Sequence, residues 1–396
     1  MHKLLISISV LLLFVSCKDN KKEESGEANR TVFAYLIGDN GSSELSSYLL
    51  SDFGEMVDGM TGVDDTKNNL IVYCETNRDL PQLIHIRKKK GVVIADTIRT
   101  YPEQNPLNID IMRQVMSDVF DKFPANSYGF ILASHGEGWI PATKSANTRW
   151  IGMYRNSYLD ISDLRLVLEE MPHFDFIFFD ACFMQAAEVV YELRNCTDYL
   201  ISSPAEIPGP GAPYQMAVPA MFANKKDVAV DIAAAYYNYY KNDEGTYFLD
   251  GSKRTWSHGV SVSVVKTSEL DALASATKKV ISKYVDDNLN TSSLFNYGYG
   301  ISVSPRMYYY DLRDFIKSIT EGNADYNEWL SAFNKAQPYF ETTATNWSNR
   351  TGGRPLDMTN AGGIATCIPI NMASFQYQYY KSLDWYSAAG WEQATN

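Results

Sequence analysis

The chain has 396 residues, 45% of them hydrophobic and 13% aromatic, which is enough to bury one large core or two moderate ones and too apolar for a disordered protein. Its formal net charge of −12 argues against a nucleic-acid-binding surface and is compatible with basic substrates.

Residues 1–16 read as a leader rather than as fold. Met1, His2 and Lys3 make a short basic start, Leu4 to Val15 is an apolar run too short to span a membrane comfortably, and Ser16 precedes Cys17. A small residue before a cysteine resembles a bacterial lipoprotein signal, which would leave Cys17 as a lipid-carrying N-terminus; an ordinary secretory peptide is the alternative. Residues 17–30 follow as a charged tether, since Lys18 to Glu27 is almost free of apolar side chains. The expectation is an envelope lipoprotein of a Gram-negative bacterium, at the outer membrane or cell surface, touching the membrane only through lipid on Cys17. The other cysteines, Cys74, Cys182, Cys196 and Cys367, are widely spaced with no CxxC pair, a pattern of neither a zinc site nor a disulfide scaffold. Cys74 and Cys367 read as small buried hydrophobes, and a bridge between two of the four stays open.

Thr31 to Ile37 is an apolar, β-branched and aromatic run ended by the turn Gly38-Asp39-Asn40-Gly41, and predicts a central strand. Leu45, Leu49, Phe53 and Met56 then share one helical face, and Asn69 to Cys74 is the next buried strand, so the two strands form a parallel βαβ unit. Leu83 to Arg87 and Val92 to Ala95 predict a hairpin around the lysine-rich tip Lys88 to Gly91, read as a solvated turn. Met112, Val115, Met116, Val119 and Phe123 predict a helix that leads back into the strand Phe130 to Ser134, which runs into His135-Gly136-Glu137-Gly138-Trp139. A polar loop from Pro141 to Arg149 follows. Asp160 is placed to cap a helix with Leu164, Val167, Leu168 and Met171 on its inner face, and Phe176 to Phe179 is the next strand, running into Asp180-Ala181-Cys182. Cys182 to Arg194 reads as helix, Tyr199 to Ser203 as strand, Val228 to Tyr240 and Glu269 to Tyr284 as helices, and Val260 to Val265 and Gly363 to Ile368 as strands. The aromatic end, Tyr379 to Tyr386, is expected to pack on the core, and the 27 tyrosines, being scattered, read as packing rather than as a carbohydrate surface.

Two helical crossovers make the His135 and Cys182 strands parallel, so an imidazole and a thiol would meet at one sheet edge. A cysteine attacks well only as thiolate, and an imidazole or a helix N-terminus beside it favours that form. With Cys182 where strand passes to helix, the helix dipole is expected to act on it. If the strand continues to Cys182, Asp180 points to the same side. A carboxylate there raises a thiol's pKa, so it makes better sense as a receiver for the guanidinium or ammonium of a substrate. Gly136 and Gly138 allow the backbone to approach a ligand, and an amide here could serve as an oxyanion donor. On spacing alone, a hydrogen-bonded turn histidine and a core thiol remain the competing reading.

Together, Ser-His-Gly-Glu-Gly-Trp at 134–139 and Asp-Ala-Cys-Phe-Met at 180–184 resemble the paired signatures of the clostripain family of cysteine peptidases. Leu36 to Asn40, Ser203 to Gly211 and the closing Tyr380 to Trp391 are similar to further segments of that family, so the resemblance spans nearly all of 31–396. It implies a caspase-like three-layer α/β/α sandwich with a mostly parallel sheet, a catalytic core over 31–215 and a C-terminal α/β portion over 216–396 packed on it. It implies a Cys182–His135 dyad, Gly136 and Cys182 amides as the oxyanion hole, and Asp180 as the acidic wall of a pocket for arginine or lysine. Glu206 is a second pocket candidate that could equally brace its loop. Self-cleavage between the histidine and the cysteine falls at Arg149 or Lys144. No cofactor or metal is expected, calcium dependence is not inferable, and the partners are basic peptides or proteins met by a monomer. Where relatives carry an acidic pair after the loop, this chain has Ile151 to Arg155, so a site needing those carboxylates is not expected. The alternative function is a catalytically silent surface protein of the same scaffold that binds peptides or glycans.

Overall fold

The computed structural model describes residues 28–41, 43–64, 67–140, 151–242, 245–286, 289–298, 308–348, 355–369 and 375–394. The leader, Cys17 with most of the tether, and the loop holding Lys144 and Arg149 lie outside the described residues.

The chain opens with β1 (Ala28–Ile37), α1 (Ser43–Gly59), β2 (Asn68–Glu75) and the hairpin β3 (Gln82–Lys89) and β4 (Val92–Thr100). Next come α2 (Ile109–Phe120), β5 (Ala125–Ala133), α3 (Ile161–Leu168), β6 (Phe174–Asp180), α4 (Ala187–Glu192) and β7 (Thr197–Ser202). The rest supplies α5 (Tyr214–Met221), α6 (Ala229–Tyr240), β8 (Ser261–Lys266), α7 (Leu270–Tyr284), α8 (Leu312–Thr320), α9 (Ala324–Ala336) and β9 (Tyr339–Thr342). These nine strands form one sheet in the order β9-β8-β7-β6-β5-β1-β2-β3-β4. The five central strands run parallel, because helical crossovers join them, and the two outer strands on each side are antiparallel.

Strand alternation divides the core. In β1, Val32, Ala34 and Leu36 face α1, α5 and α6, while Phe33, Tyr35 and Ile37 face α2, α3 and the C-terminal helices. The result is the three-layer α/β/α sandwich that the family resemblance implies, with residues beyond 216 contributing β8 and β9 to the same sheet. The predicted strands and helices up to Phe179 are present, and Lys90 and Gly91 both take positive φ at the hairpin tip. Asp160 does hold the N-cap position of α3, but its side chain makes no capping hydrogen bond.

Two expectations are corrected. Helix does not begin at Cys182 but at Ala187, and it lasts only six residues, because Phe183 takes φ 60° and the amides of Phe183 and Gln185 are drawn to the carbonyls of Ala205 and Ser203. The strand predicted over Gly363 to Ile368 shrinks to Ala365–Thr366, paired with Tyr310–Asp311. Among the described residues no disulfide joins Cys74, Cys182, Cys196 or Cys367. The aromatic C-terminus packs inward, with Tyr380, Trp385 and Trp391 all buried.

One buried carboxyl ties this C-terminal segment to the core. Glu188 of α4 accepts from the Cys367 amide at 2.8 Å, the Thr366 hydroxyl at 3.0 Å and the Tyr380 hydroxyl at 3.4 Å. Burial pushes its pKa from 4.5 to about 7, against the pull of these donors. A group raised in the folded state stabilises most below its unfolded pKa, so this contribution is full near pH 4 and is lost as pH climbs through about 7. Thermal melts between pH 5 and 8 check this: Glu188→Gln should flatten the wild-type decline, whereas Glu188→Ala should cost about 3 kcal/mol by stranding buried donors. Wild type and Glu188→Gln melting in parallel across that range would refute the assignment.

Candidate active site

The site lies at the C-terminal ends of β1, β5 and β6, where loops of neighbouring parallel strands emerge together. A cleft of about 450 Å³ there is lined by Asn40, Glu44, Tyr48 and Asp52 from the first loop and α1, and by His135, Asp180, Cys182 and Glu206. Trp256 and Trp347, brought from two hairpins beyond β7, line it as well. A larger hollow of about 640 Å³ sits at the opposite ends of the same strands, but its buried Arg30 is already engaged by Asp175, Ser127 and the Met221 carbonyl.

His135 is placed by what precedes and follows it. Ser134 donates to the Ile37 carbonyl of β1 at 3.0 Å and accepts from the Met153 amide at 3.2 Å, so the end of β5 is tied on both sides. Trp139, four residues on, is buried against Tyr308 and Tyr380 and anchors the loop in the core. The His135 ring reaches the open cleft, yet protein surrounds much of it and burial lowers its pKa, with Glu137 and Glu44 pulling the other way. Nε2 of His135 lies 2.7 Å from the Asn40 carboxamide.

Cys182 sits in the irregular turn after β6. The Ile207 amide donates to its Sγ at 3.4 Å, a contact that strengthens as charge develops on sulfur. The helix dipole expected to act on Cys182 is absent, because α4 starts five residues later and is too short. Gly136 packs directly on this turn: a β-carbon there would lie 2.6 Å from the Cys182 carbonyl oxygen, 2.8 Å from the Ala181 β-carbon and 3.2 Å from the Cys182 nitrogen. The two backbones expected to form an oxyanion hole are thus in contact.

Asp180 ends β6 fully buried. Its Oδ2 accepts from the Ala212 amide at 2.9 Å and the Tyr214 hydroxyl at 3.0 Å, while its Oδ1 has no hydrogen-bond partner. Burial pushes its pKa up to about 6 despite those two donors. Gly211, with φ +67°, lets the loop cross over the carboxylate, since a β-carbon would come within 2.6 Å of Oδ2. Beside it lies a residue that the sequence reading passed over. Asp52 of α1 is 2% exposed, lines the cleft, has an unpartnered Oδ1, and is pushed well up in pKa by burial and then by Asp180. The signal was present, for Asp52 falls among Leu49 and Met56 on a face that is otherwise core. Asn40, also missed as a site residue, reads from the sequence as part of the first strand's closing turn. Glu206 lines the same cleft, whereas Lys144 and Arg149 lie outside the described residues. Among the described residues no cluster of three or more His, Cys, Asp or Glu converges as a metal site.

A thiol, an imidazole and buried carboxylates around one cleft on a caspase-like sandwich define a cysteine hydrolase. The family model of the clostripain family matches residues 34–395, and the chain belongs to that family of cysteine proteases. Among solved structures it is similar to a secreted cysteine protease of Bacteroides thetaiotaomicron in complex with an irreversible peptide inhibitor, with 40% identity, 92% of this chain and 99% of that one covered, and a TM-score of 0.81. An inactive zymogen of a Parabacteroides distasonis protease is 29% identical over the same shares, with a TM-score of 0.76. A B. fragilis cysteine protease is 43% identical over 62% of this chain and all of that one, with a TM-score of 0.56. No curated protein matches the chain.

The Gly136 contact makes a direct prediction. Gly136→Ala should lower kcat on a peptide substrate by about a hundredfold through displacement of the Cys182 turn, with a modest fall in Tm. Full activity in that variant would show the contact to be dispensable.

Proposed function

We propose that the protein is an endopeptidase that cleaves after arginine or lysine, with Cys182 as nucleophile and His135 as its acid/base partner. The observation that carries the specificity is the pair of buried carboxylate oxygens, Asp180 Oδ1 and Asp52 Oδ1, that lack partners in the cleft shared by His135 and Cys182. Buried charge without a partner is costly, and a guanidinium or ammonium supplies the missing donors and the opposite charge together. Glu206 either joins them as a third acidic group or braces its loop.

With its pKa lowered by burial, the imidazole is neutral near pH 7 and takes the thiol proton. The thiolate then attacks the scissile carbonyl carbon, and the electron pair displaced onto oxygen is held by the Gly136 and Cys182 N–H groups. As the C–N bond breaks, the leaving amine takes the proton from His135, which leaves a thioester on Cys182. Water gives a proton to His135 and attacks that thioester, releasing the acid and restoring the sulfur.

The same specificity supports self-processing at Arg149 or Lys144, and the solved relative described as an inactive zymogen favours such a step. The relative described as secreted favours an envelope or extracellular location, consistent with lipid on Cys17. Intact mass of wild-type and Cys182→Ala protein tests the first point: two fragments are expected from the former and one chain from the latter.

Because burial pushes the Asp180 carboxyl up to about 6, its negative charge is lost as pH falls through that value. KM for an arginine substrate should therefore rise below about pH 6, and Asp180→Asn should raise it by about a hundredfold or more at pH 7.5 without preventing alkylation of Cys182 by iodoacetamide. Equal turnover of arginine and leucine substrates would refute the specificity.

A further inference from the structure

We propose that Asn40 is the positioning residue of the dyad, its carboxamide holding His135 through Nε2 so that Nδ1 exchanges the proton with Cys182. The inference rests on the dyad reading above. Its basis is the 2.7 Å approach of the Asn40 side chain to Nε2 together with the fixation of the loop that carries it.

Strands β1 and β5 are hydrogen-bonded neighbours in register to Leu36 and Ala133, so the turns after them emerge side by side. The first turn is then locked in place. Gly38 donates to the Glu75 carbonyl at 2.8 Å, the Asn40 amide to the Gly38 carbonyl at 3.0 Å, and the Asp39 amide to the Glu75 carboxylate at 3.2 Å. On the far side Arg155 clamps Asp39 twice, with its amide on the carbonyl at 2.8 Å and its guanidinium on the carboxylate at 2.9 Å. Asn40 is therefore presented to His135 by backbone and charge contacts that involve neither the nucleophile nor the substrate.

The chemistry suits a carboxamide. For Nδ1 to act as base, Nε2 must carry its hydrogen and donate it, and a half-turn of the amide puts Oδ1 where Nδ2 stands. Held this way the ring cannot swing out of the cleft between the first proton transfer and the second. A neutral amide also leaves the imidazole uncharged, whereas a carboxylate at the same place would favour imidazolium. Two acidic groups already act on this ring, Glu137 on its own loop and Glu44 of α1, and Glu206, Asp180 and Asp52 line the same cleft. One more charge in contact with Nε2 would keep His135 protonated where it must be a base.

The test is kcat against pH at saturating arginine–coumarin peptide, where the bound cation already holds Asp180 ionised, for wild type and for Asn40→Ala, Asn40→Asp, His135→Ala and Cys182→Ala, each with a thermal melt. Asn40→Ala should lose about tenfold to a hundredfold in kcat with KM within about twofold of wild type. Asn40→Asp should recover part of that loss at high pH, with its acid limb moved up by about one unit. A change confined to KM, an unchanged kcat in Asn40→Ala, or an unmoved acid limb in Asn40→Asp would overturn the inference while leaving the dyad intact. Activity surviving in His135→Ala or Cys182→Ala would instead overturn the dyad itself. Should Asn40→Ala fail to fold, the Asn40→Asp profile decides alone.

Discussion

The backbone at Gly136 lies against the backbone of Cys182 with no space for a β-carbon, and the rest of the site is arranged around that approach. Parallel neighbours β5 and β6 bring their ends together, but a sheet alone leaves the loops beyond it free to diverge. Here they are held by contacts from distant parts of the chain. Phe183 takes a left-handed conformation and its ring stacks at 4.4 Å on Tyr309, whose hydroxyl donates to the Glu137 carbonyl at 2.8 Å. Tyr309 thus bridges the turn after Cys182 to the loop after His135. Such backbone strain persists where the surroundings over-determine it, and the C-terminal half supplies those surroundings.

The central strands and the early helices were legible in the sequence because both of their signals are local: β-branched and aromatic runs of four to seven residues, and apolar spacing of three and four. His135 and Cys182 were legible for a different reason, as reactive residues at the ends of such runs. Part of what escaped was set by contacts remote in sequence. Cys182 to Ala186 has helix-compatible composition, yet its amides are claimed by Ser203 and Ala205, about 20 residues away, and the helix is delayed. Helices α5, α8 and α9 went unread, and α5 carries Pro219 within it, which obscures the pattern. Asn40 could not be separated from an ordinary turn asparagine without knowing which loop lies beside it.

Asp52 illustrates how a departure from pattern carries functional information. A carboxylate between Leu49 and Met56 costs stability, and nothing in the helix itself compensates for it. On the specificity proposed above, the compensation lies in the cleft, where Asp52 and Asp180 line one opening and Asp180 adds to burial in keeping Asp52 protonated. Natural proteins keep such locally unfavourable choices where binding makes use of them.

The same pair bears on how discrimination is achieved. An acidic pocket that was fully ionised when empty would suffer strong repulsion; one whose carboxyls are partly protonated relieves it and must release protons when a cation enters. On the proposed specificity, part of the attraction for a basic side chain would be spent on that proton release, while a neutral side chain would gain neither the charge interaction nor the hydrogen bonds and would leave the buried oxygens unpaired. On the same specificity, rejection of neutral residues would follow from the unsatisfied acceptors as much as preference for basic ones would follow from charge. On that reading, the selectivity of the cleft rests on buried oxygens that only a hydrogen-bond donor can satisfy.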